Sequence, residues 1–292
     1  PVDQIVARAA EAEIVLTNKC PLSAETIAQL PNLKYIGVLA TGFNVVDVEA
    51  ARARDIPVCN VPIYGTKSVA QHVFALLLEL TNSVARHDAL VRAGRWAERG
   101  DFCFWESAPQ EMANRVLGIV GWGRIGQQVG RIGSAFGMKL LVTSRTGRAG
   151  QNRSHAPSNE LDYEWVSTDE LFTRSDVVTL HCPLNAETEG MVHAGRLEKM
   201  PSHALLINTA RGGLVNETDL AAALQAGAIR GAAVDVASAE PMDAGNPLLR
   251  APRLLITPHM AWGSLAARRR LMDITATNVS AFLAGVPQNV VV

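Results

Sequence analysis

The sequence predicts an α/β protein built on parallel sheets, and three observations carry that prediction. Short apolar runs bounded by turn residues alternate with longer stretches at helical period, the pattern of strands joined by helical crossovers. The chain is 48% hydrophobic and 19% charged, so it can bury a large core and does not read as disordered. Its 292 residues, at roughly 150 residues per domain, suggest two domains.

In chain order the expected strands are residues 13–17, 35–39, 57–61, 117–121, 139–143, 177–181, 204–208, 231–236 and 254–257. Between residues 66 and 96 the pattern is helical. Ser68-Val69-Ala70-Gln71 reads as a capping box opening that helix, and Val69, Val73, Phe74, Leu76, Leu77 and Leu80 give it a broad apolar surface that must be largely buried. Residues 147–160, rich in Gly, Arg, Ser and Asn without a period, read as a surface loop. Residues 266–283 read as a last helix. There is no internal repeat and no low-complexity tract.

Composition excludes several functions. With 27 Lys+Arg against 28 Asp+Glu the formal net charge is -1, which leaves no basic footprint for nucleic acid and no polybasic membrane arm. The most apolar stretch, residues 73–80, is interrupted by Glu79 and falls far short of the ~20 residues that span a bilayer. The four cysteines, Cys20, Cys59, Cys103 and Cys182, lie far apart without a C-x-x-C pair, which fits buried thiols in a reducing compartment, the cytoplasm, rather than a disulfide or zinc framework; no metal is expected. The chain opens Pro1-Val2-Asp3-Gln4 without Met or a signal peptide pattern, and a start inside the natural protein is expected.

The most specific local signal follows the apolar run Val116-Leu117-Gly118-Ile119-Val120. Gly121-Trp122-Gly123-Arg124-Ile125-Gly126 leads into a helical stretch, with Gly137 expected to stop that helix before the next apolar run. This is G-x-G-x-x-G in a strand–turn–helix context: the first glycine permits the tight turn, the second lets the backbone approach a pyrophosphate, and the third allows close helix–strand packing. It points to a Rossmann-type, doubly wound sheet that binds a dinucleotide. About 20 positions on, NAD-binding versions carry a carboxylate for the ribose 2′-OH. Here the second strand ends in Ser144-Arg145-Thr146. A hydroxyl and a guanidinium suit a 2′-phosphate where a carboxylate would repel it, so NADP(H) is expected over NAD(H).

Further segments follow in a set order: His181-Cys182-Pro183-Leu184, Asn208-Thr209-Ala210-Arg211-Gly212-Gly213, Asp235 leading to Glu240-Pro241, and Thr257-Pro258-His259. Together with the glycine motif, this order resembles the D-isomer-specific 2-hydroxyacid dehydrogenases, and in particular their glycerate dehydrogenase and hydroxypyruvate (glyoxylate) reductase branch. The likeness runs over essentially the whole chain, from Leu33-Lys34-Tyr35 to Gly285-Val286-Pro287-Gln288-Asn289.

The resemblance implies a dinucleotide-binding domain, residues 73–262, inserted into a smaller flavodoxin-like substrate domain formed by residues 1–72 and 263–292. It implies an active site in the cleft between them, a strand and helix preceding this chain, and a homodimer. It makes Arg211 the substrate-binding arginine, Glu240 the acidic partner and His259 the acid/base. The chemistry asks for these types. A guanidinium fork can hold the carboxylate and ketone of a 2-oxo acid, and a protonated imidazole can stabilise and protonate the oxygen as hydride adds to carbon. A carboxylate beside an imidazole favours the imidazolium.

By the same resemblance Cys182, Pro183, Thr209 and Ala210 line the cofactor, and Asp235 contacts the nicotinamide amide. Ala40, Thr41 and Gly42 form a carboxylate-binding turn whose backbone N–H groups can take an anion, and Gly65 can serve likewise. In related reductases a tryptophan near Trp105 reaches the partner subunit's site. The implied activity is reduction of hydroxypyruvate or glyoxylate to D-glycerate or glycolate. The alternatives are a D-3-phosphoglycerate dehydrogenase, for which a regulatory domain after the last helix would be expected, and a dinucleotide-sensing corepressor-like module, which would not need Arg211, Glu240 and His259.

Overall fold

A computed structural model describes residues 2–145 and 161–292. Thr146 and the loop expected at 147–160 lie outside the described residues. In chain order the elements are α1 (Val2–Ala9), β1 (Ile14–Thr17), α2 (Ala24–Ala28), β2 (Tyr35–Val38), α3 (Val48–Arg52), β3 (Val58–Cys59), α4 (Thr66–Asn82), α5 (Val84–Arg92), α6 (Arg95–Arg99), β4 (Val116–Val120), α7 (Arg124–Ala135), β5 (Lys139–Thr143), β6 (Glu164–Trp165), α8 (Thr168–Arg174), β7 (Val177–Leu180), α9 (Ala194–Leu197), β8 (Leu205–Asn208), α10 (Glu217–Ala226), β9 (Gly231–Val234), β10 (Leu254–Ile256) and α11 (Leu265–Leu283). Every expected strand forms. The two-residue β6 was not foreseen, because so short a strand has no period to read.

The chain divides into two compact units, residues 1–65 with 263–292 and residues 66–262. The division expected at 72/73 would cut α4. The units instead part at Gly65, ahead of the helix, since a continuous hydrogen-bonded helix is a poor place for a break.

The smaller unit is a three-stranded parallel sheet in the order β1-β2-β3. Its core gathers Leu22, Ile27, Leu30, Leu33, Ile36, Val38 and Val58. The helices start on side-chain caps: Ser23 accepts from the Thr26 N–H at 3.2 Å, Asp47 from Ala50 at 3.0 Å and Ser264 from Ala267 at 3.2 Å. Phe282 of α11 packs on the buried Tyr35 ring, with centroids 4.7 Å apart. The strand expected over 57–61 shrinks to two residues because the Asn60 and Val61 N–H groups turn to the carbonyls of Asn289 and Ala40.

The larger unit is a seven-stranded, all-parallel sheet in the order β10-β9-β8-β7-β4-β5-β6. Strand order reverses at the boundary between β4 and β7, the switch point of a doubly wound fold. Its central strands β7, β8 and β9 are buried along their whole length, as a sheet covered on both faces requires. One face packs under α4 and α7 with Val73, Phe74, Leu77, Leu117, Ile119 and Val142, and the other carries Leu141, Phe172, Leu180, Leu206, Leu220 and Val234.

The helix expected over 66–96 is not continuous. It breaks at Ser83, which takes the left-handed region at φ 50, and resumes as α5 and α6. Ser68 does not cap it: α4 begins at Thr66, and Ser68 is buried in its first turn. Gly137, at φ 73, follows the last turn of α7 as expected.

Candidate active site

The catalytic and cofactor residues singled out in the larger unit follow the carboxyl ends of its strands, where open α/β sheets bind ligands, whereas Trp105 lies exposed between α6 and β4. After β4, Gly121 turns the chain at φ +102, and a Cβ there would lie 2.6 Å from the His181 carbonyl carbon. Gly126 fits against the same turn, since a Cβ would lie 2.1 Å from the Gly121 carbonyl oxygen. Gly123 differs: a Cβ built there meets no heavy atom within 4 Å. The protein itself demands the first and third glycines and leaves open space at the second.

That space lies at the N-terminus of α7, where no side chain caps Gly123. The first-turn N–H groups of Arg124, Ile125 and Gly126 have no partner earlier in the helix. At the end of β8, buried Thr209 Oγ1 has no hydrogen-bond partner among the described residues. An open cradle, an uncapped helix start and an orphaned hydroxyl together fit a dinucleotide.

Ser144 and the exposed Arg145 follow β5, with no carboxylate between them. After β7 the Gly121 turn abuts His181, whose Nε2 lies 2.9 Å from Thr179 Oγ1. Burial pushes the His181 imidazole down to about 3, so it is neutral near physiological pH. Burial pushes the Cys182 thiol up, and Pro183 beside it is exposed.

His259 and Glu240 meet. The imidazole Nδ1 lies 2.6 Å from Glu240 Oε2, and their side chains are 29% and 34% exposed. Because the carboxylate accepts, Nδ1 carries the hydrogen and Nε2 is left for a reactant. Both loops are held from below. The Asp235 carboxylate takes the N–H groups of Met260 and Ala261, each at 2.9 Å, and the Thr257 hydroxyl at 2.5 Å, while its backbone carbonyl takes the His259 N–H at 2.7 Å. Burial pushes the Asp235 carboxyl up, but donors from His72, Thr257, Ala261 and Met260 outweigh it and hold the group below the usual carboxylate range. Its side chain has 0% exposure. This geometry turns the carboxylate inward onto the loop of His259.

The Glu240 loop has its own anchor. Glu217, at the start of α10, accepts from the Ser238 N–H and Oγ at 2.7 Å each and from Asn246 Nδ2 at 2.8 Å. Arg211 is exposed on a turn that buried Asn208 ties from both sides: its Nδ2 donates to the Arg211 carbonyl at 2.9 Å, and its Oδ1 accepts from the Ala210 N–H at 3.1 Å. The next residue, Gly212, is pressed to the Glu240 loop so closely that a Cβ would lie 1.9 Å from the Ala237 carbonyl carbon. Sequence reasoning quoted Asn208 and Thr257 within the motifs without a role and did not single out Glu217 or His72. The partners of Glu217, Thr257 and His72 are distant in the chain, and the Asn208 side chain ties a turn only two and three residues on, a contact that a lone buried polar residue does not announce.

In the smaller unit, Ala40, Thr41 and Gly42 follow β2. Thr41 Oγ1 donates to the Val61 carbonyl at 3.0 Å and the Thr41 carbonyl accepts from Asn60 Nδ2 at 2.8 Å, so this turn is braced against the segment after β3. The turn ahead of Gly65 is braced by Arg270 of α11, which donates to the Tyr64 carbonyl through Nε at 3.0 Å and Nη2 at 2.9 Å.

Residues 74–261 match the model of a family described as D-isomer specific 2-hydroxyacid dehydrogenase, NAD binding domain. A hydroxypyruvate reductase of Blautia hydrogenotrophica is 43% identical over 99% of this chain and 88% of its own length. A glycerate dehydrogenase of Methylorubrum extorquens is 42% identical with the same coverage of both chains. Among solved structures, an NADPH-dependent glyoxylate/hydroxypyruvate reductase of Sinorhizobium meliloti, in complex with NADP and malonate, superposes with a TM-score of 0.84 at 28% identity, over 100% of this chain and 87% of that one.

Proposed function

We propose that this chain, which belongs to the D-isomer-specific 2-hydroxyacid dehydrogenase family, reduces hydroxypyruvate or glyoxylate to D-glycerate or glycolate with NADP(H) as its preferred cofactor. It is an NAD(P)-dependent oxidoreductase of small 2-oxo and 2-hydroxy acids. The observation that carries the proposed mechanism is the contact of His259 Nδ1 with Glu240 at 2.6 Å, at the sheet edge that also carries the glycine cradle.

Gly121, Gly123 and the first turn of α7 would hold the dinucleotide, which when bound would supply the hydride. His259 Nε2 faces the ketone oxygen, stabilises the negative charge that develops there and delivers the proton; Glu240 orients the ring and compensates its charge. Arg211 spends one guanidinium donor on the Ala210 carbonyl at 2.7 Å and keeps the rest for the substrate carboxylate and ketone. Substrate binding by Ala40, Thr41, Gly42 and Gly65, and cofactor contacts by Cys182, Pro183, Thr209 and Ala210, are part of this reading. Ser144 and Arg145 favour a 2′-phosphate, since the sequence that leaves β5, Thr143-Ser144-Arg145-Thr146, holds no carboxylate.

The enzyme is read as a homodimer. Helices α5 and α6 bury no residue, and Phe102 is 93% exposed on the segment that follows them, an apolar load that monomers seldom leave to water. Sedimentation at micromolar concentration tests this, and a monomer would refute it. Cys59 is buried as expected of the cysteines, whereas Cys20 and Cys103 are exposed because they lie on loops; all four are free thiols, which supports a cytoplasmic setting. Among the described residues, no helix is long and apolar enough to cross a membrane.

The deciding experiment is a panel of hydroxypyruvate, glyoxylate, pyruvate and phosphohydroxypyruvate with NADH and with NADPH. Fastest turnover of hydroxypyruvate or glyoxylate with NADPH is expected. Preference for phosphohydroxypyruvate would identify a D-3-phosphoglycerate dehydrogenase, and no turnover with any of them would leave a binding module.

A further inference from the structure

The geometry points to His72, a residue of α4, as a positioning residue that sets the conformation of His259 through Thr257 and Asp235; this deepens, and rests on, the reading of His259 as acid/base. The direction of the hydrogen bonds follows from chemistry. Asp235 is an ionised, buried carboxylate, and such a group can only accept. Thr257 Oγ1, 2.5 Å from Asp235 Oδ1, therefore gives its single hydrogen to that oxygen. Having donated, the hydroxyl can only accept from His72 Nε2, which lies 3.1 Å away and must carry a hydrogen. The same nitrogen is 3.5 Å from Asp235 Oδ1, longer than its 3.1 Å hydrogen bond to Thr257.

The far end of this relay is the backbone on either side of His259. Met260 and Ala261 donate to the Asp235 carboxylate, and the His259 N–H donates to the Asp235 carbonyl. Between those fixed points His259 sits at φ 51, in the left-handed region that a residue with a Cβ keeps only when its surroundings impose it. Without a donor at position 72, Thr257 loses its partner and the buried carboxylate loses part of its support. The peptide groups it holds are then free to relax, and the imidazole drifts from the Glu240 side chain that orients it. His72 touches neither His259 nor a reacting atom in this account, and it acts only through the loop.

Two substitutions separate the role from mere packing. His72→Leu removes the donor at similar size, and His72→Gln keeps an N–H within reach of Thr257. With hydroxypyruvate, His72→Leu should lower kcat by up to about 100-fold, the cost of displacing a reacting group by an ångström. Dinucleotide affinity, measured by fluorescence titration, should be unchanged because the cradle is built elsewhere, and His72→Gln should recover most of kcat. A packing role alone would leave Gln as poor as Leu, or kcat intact in both, and either outcome overturns the proposal. Independently of activity, ¹⁵N-histidine NMR of the wild type should show His72 Nε2 protonated, and His72→Leu should move the His259 ring signals. A bare Nε2, or His259 signals that do not move, overturns it even if no 2-oxo acid is turned over, while absence of turnover with both NMR results as expected would refute the substrate reading and leave the relay standing. If His72→Leu does not fold, the wild-type Nε2 signal and the His72→Gln kinetics still decide.

Discussion

Replacing the glycines of the β4–α7 turn one at a time separates what the fold needs from what the ligand needs. Gly123 lies at φ -80, ψ -167, an extended conformation that alanine adopts freely, and an added Cβ has no heavy atom within 4 Å. Gly123→Ala should therefore stabilise the protein by about 0.4–1 kcal/mol through reduced freedom of the unfolded chain, a rise in Tm of about 1–4 °C. The new methyl group stands where a pyrophosphate approaches the backbone. Losing one charge-assisted hydrogen bond there costs about 1.5–3 kcal/mol, or roughly 10- to 150-fold in dinucleotide affinity.

Gly126→Ala should do the reverse. Its Cβ would stand 2.1 Å from the Gly121 carbonyl oxygen, so the turn or the helix must shift by about an ångström. Overpacking of this kind costs about 1–3 kcal/mol, against the up to about 1 kcal/mol that alanine gains over glycine inside a helix. Tm should fall. Thermal unfolding without cofactor and a fluorescence titration with NADPH read the two quantities separately. A Gly123→Ala protein that binds NADPH as tightly as the wild type, or a Gly126→Ala protein with undiminished Tm, would refute the assignment of open space to one glycine and contact to the other.

Arg145→Ala should weaken NADPH by roughly 10- to 150-fold, the worth of a hydrogen bond to a charged group, and spare NADH; equal use of both cofactors before and after the change would count against the 2′-phosphate reading. His259→Ala should lower turnover by about 10²- to 10⁴-fold with NADPH affinity intact, and Glu240→Gln should lower it less because the amide can still orient the ring; near-normal ketone reduction by the His259 variant would remove it as the acid. Acid should destabilise the protein through His181. Its imidazole is held down to about 3 in the fold but titrates near pH 6.5 in the unfolded chain, so stability is full above pH 6.5 and falls by about 1.4 kcal/mol per unit as the unfolded state takes up the proton. His181→Gln should flatten that slope in denaturant melts between pH 6 and pH 4, and an unchanged slope would refute it.

The parallel sheet was legible because its strands are buried runs such as residues 205–208, which announce themselves as apolar, and because glycines at fixed spacing mark the one turn that packs against a strand end. What stayed hidden was of two kinds. The break at Ser83 depends on a left-handed serine that no local pattern requires, and the start of α4 at Thr66 overrode a capping box at Ser68 that is locally plausible. The supports of the site were invisible for a different reason. Glu217 reaches Ser238 across 21 residues and His72 reaches Thr257 across 185, and only the folded sheet brings such partners together. The motifs spell the groups that meet a reactant and some that hold them, Asn208, Asp235 and Thr257, while Glu217 and His72 are written elsewhere in the chain.

Three carboxylates near the reacting edge show how environment, rather than residue type, divides the work. Glu217 has both oxygens engaged by Ser238 and Asn246, and Asp235 receives four donors with no exposed side-chain surface, so neither has the freedom to answer a ligand. Glu240 is the exception. Its Oε1 accepts from the Ala237 N–H at 3.2 Å, its Oε2 faces His259, and a third of its side chain is open to solvent. A carboxylate meant to follow an imidazole through a change of charge must be anchored on one side and reachable on the other, because complete satisfaction by fixed donors would commit it to a single state. Only Glu240 meets both conditions. Asp235, expected to meet the nicotinamide, is in this structure the anchor from which the acid/base loop hangs.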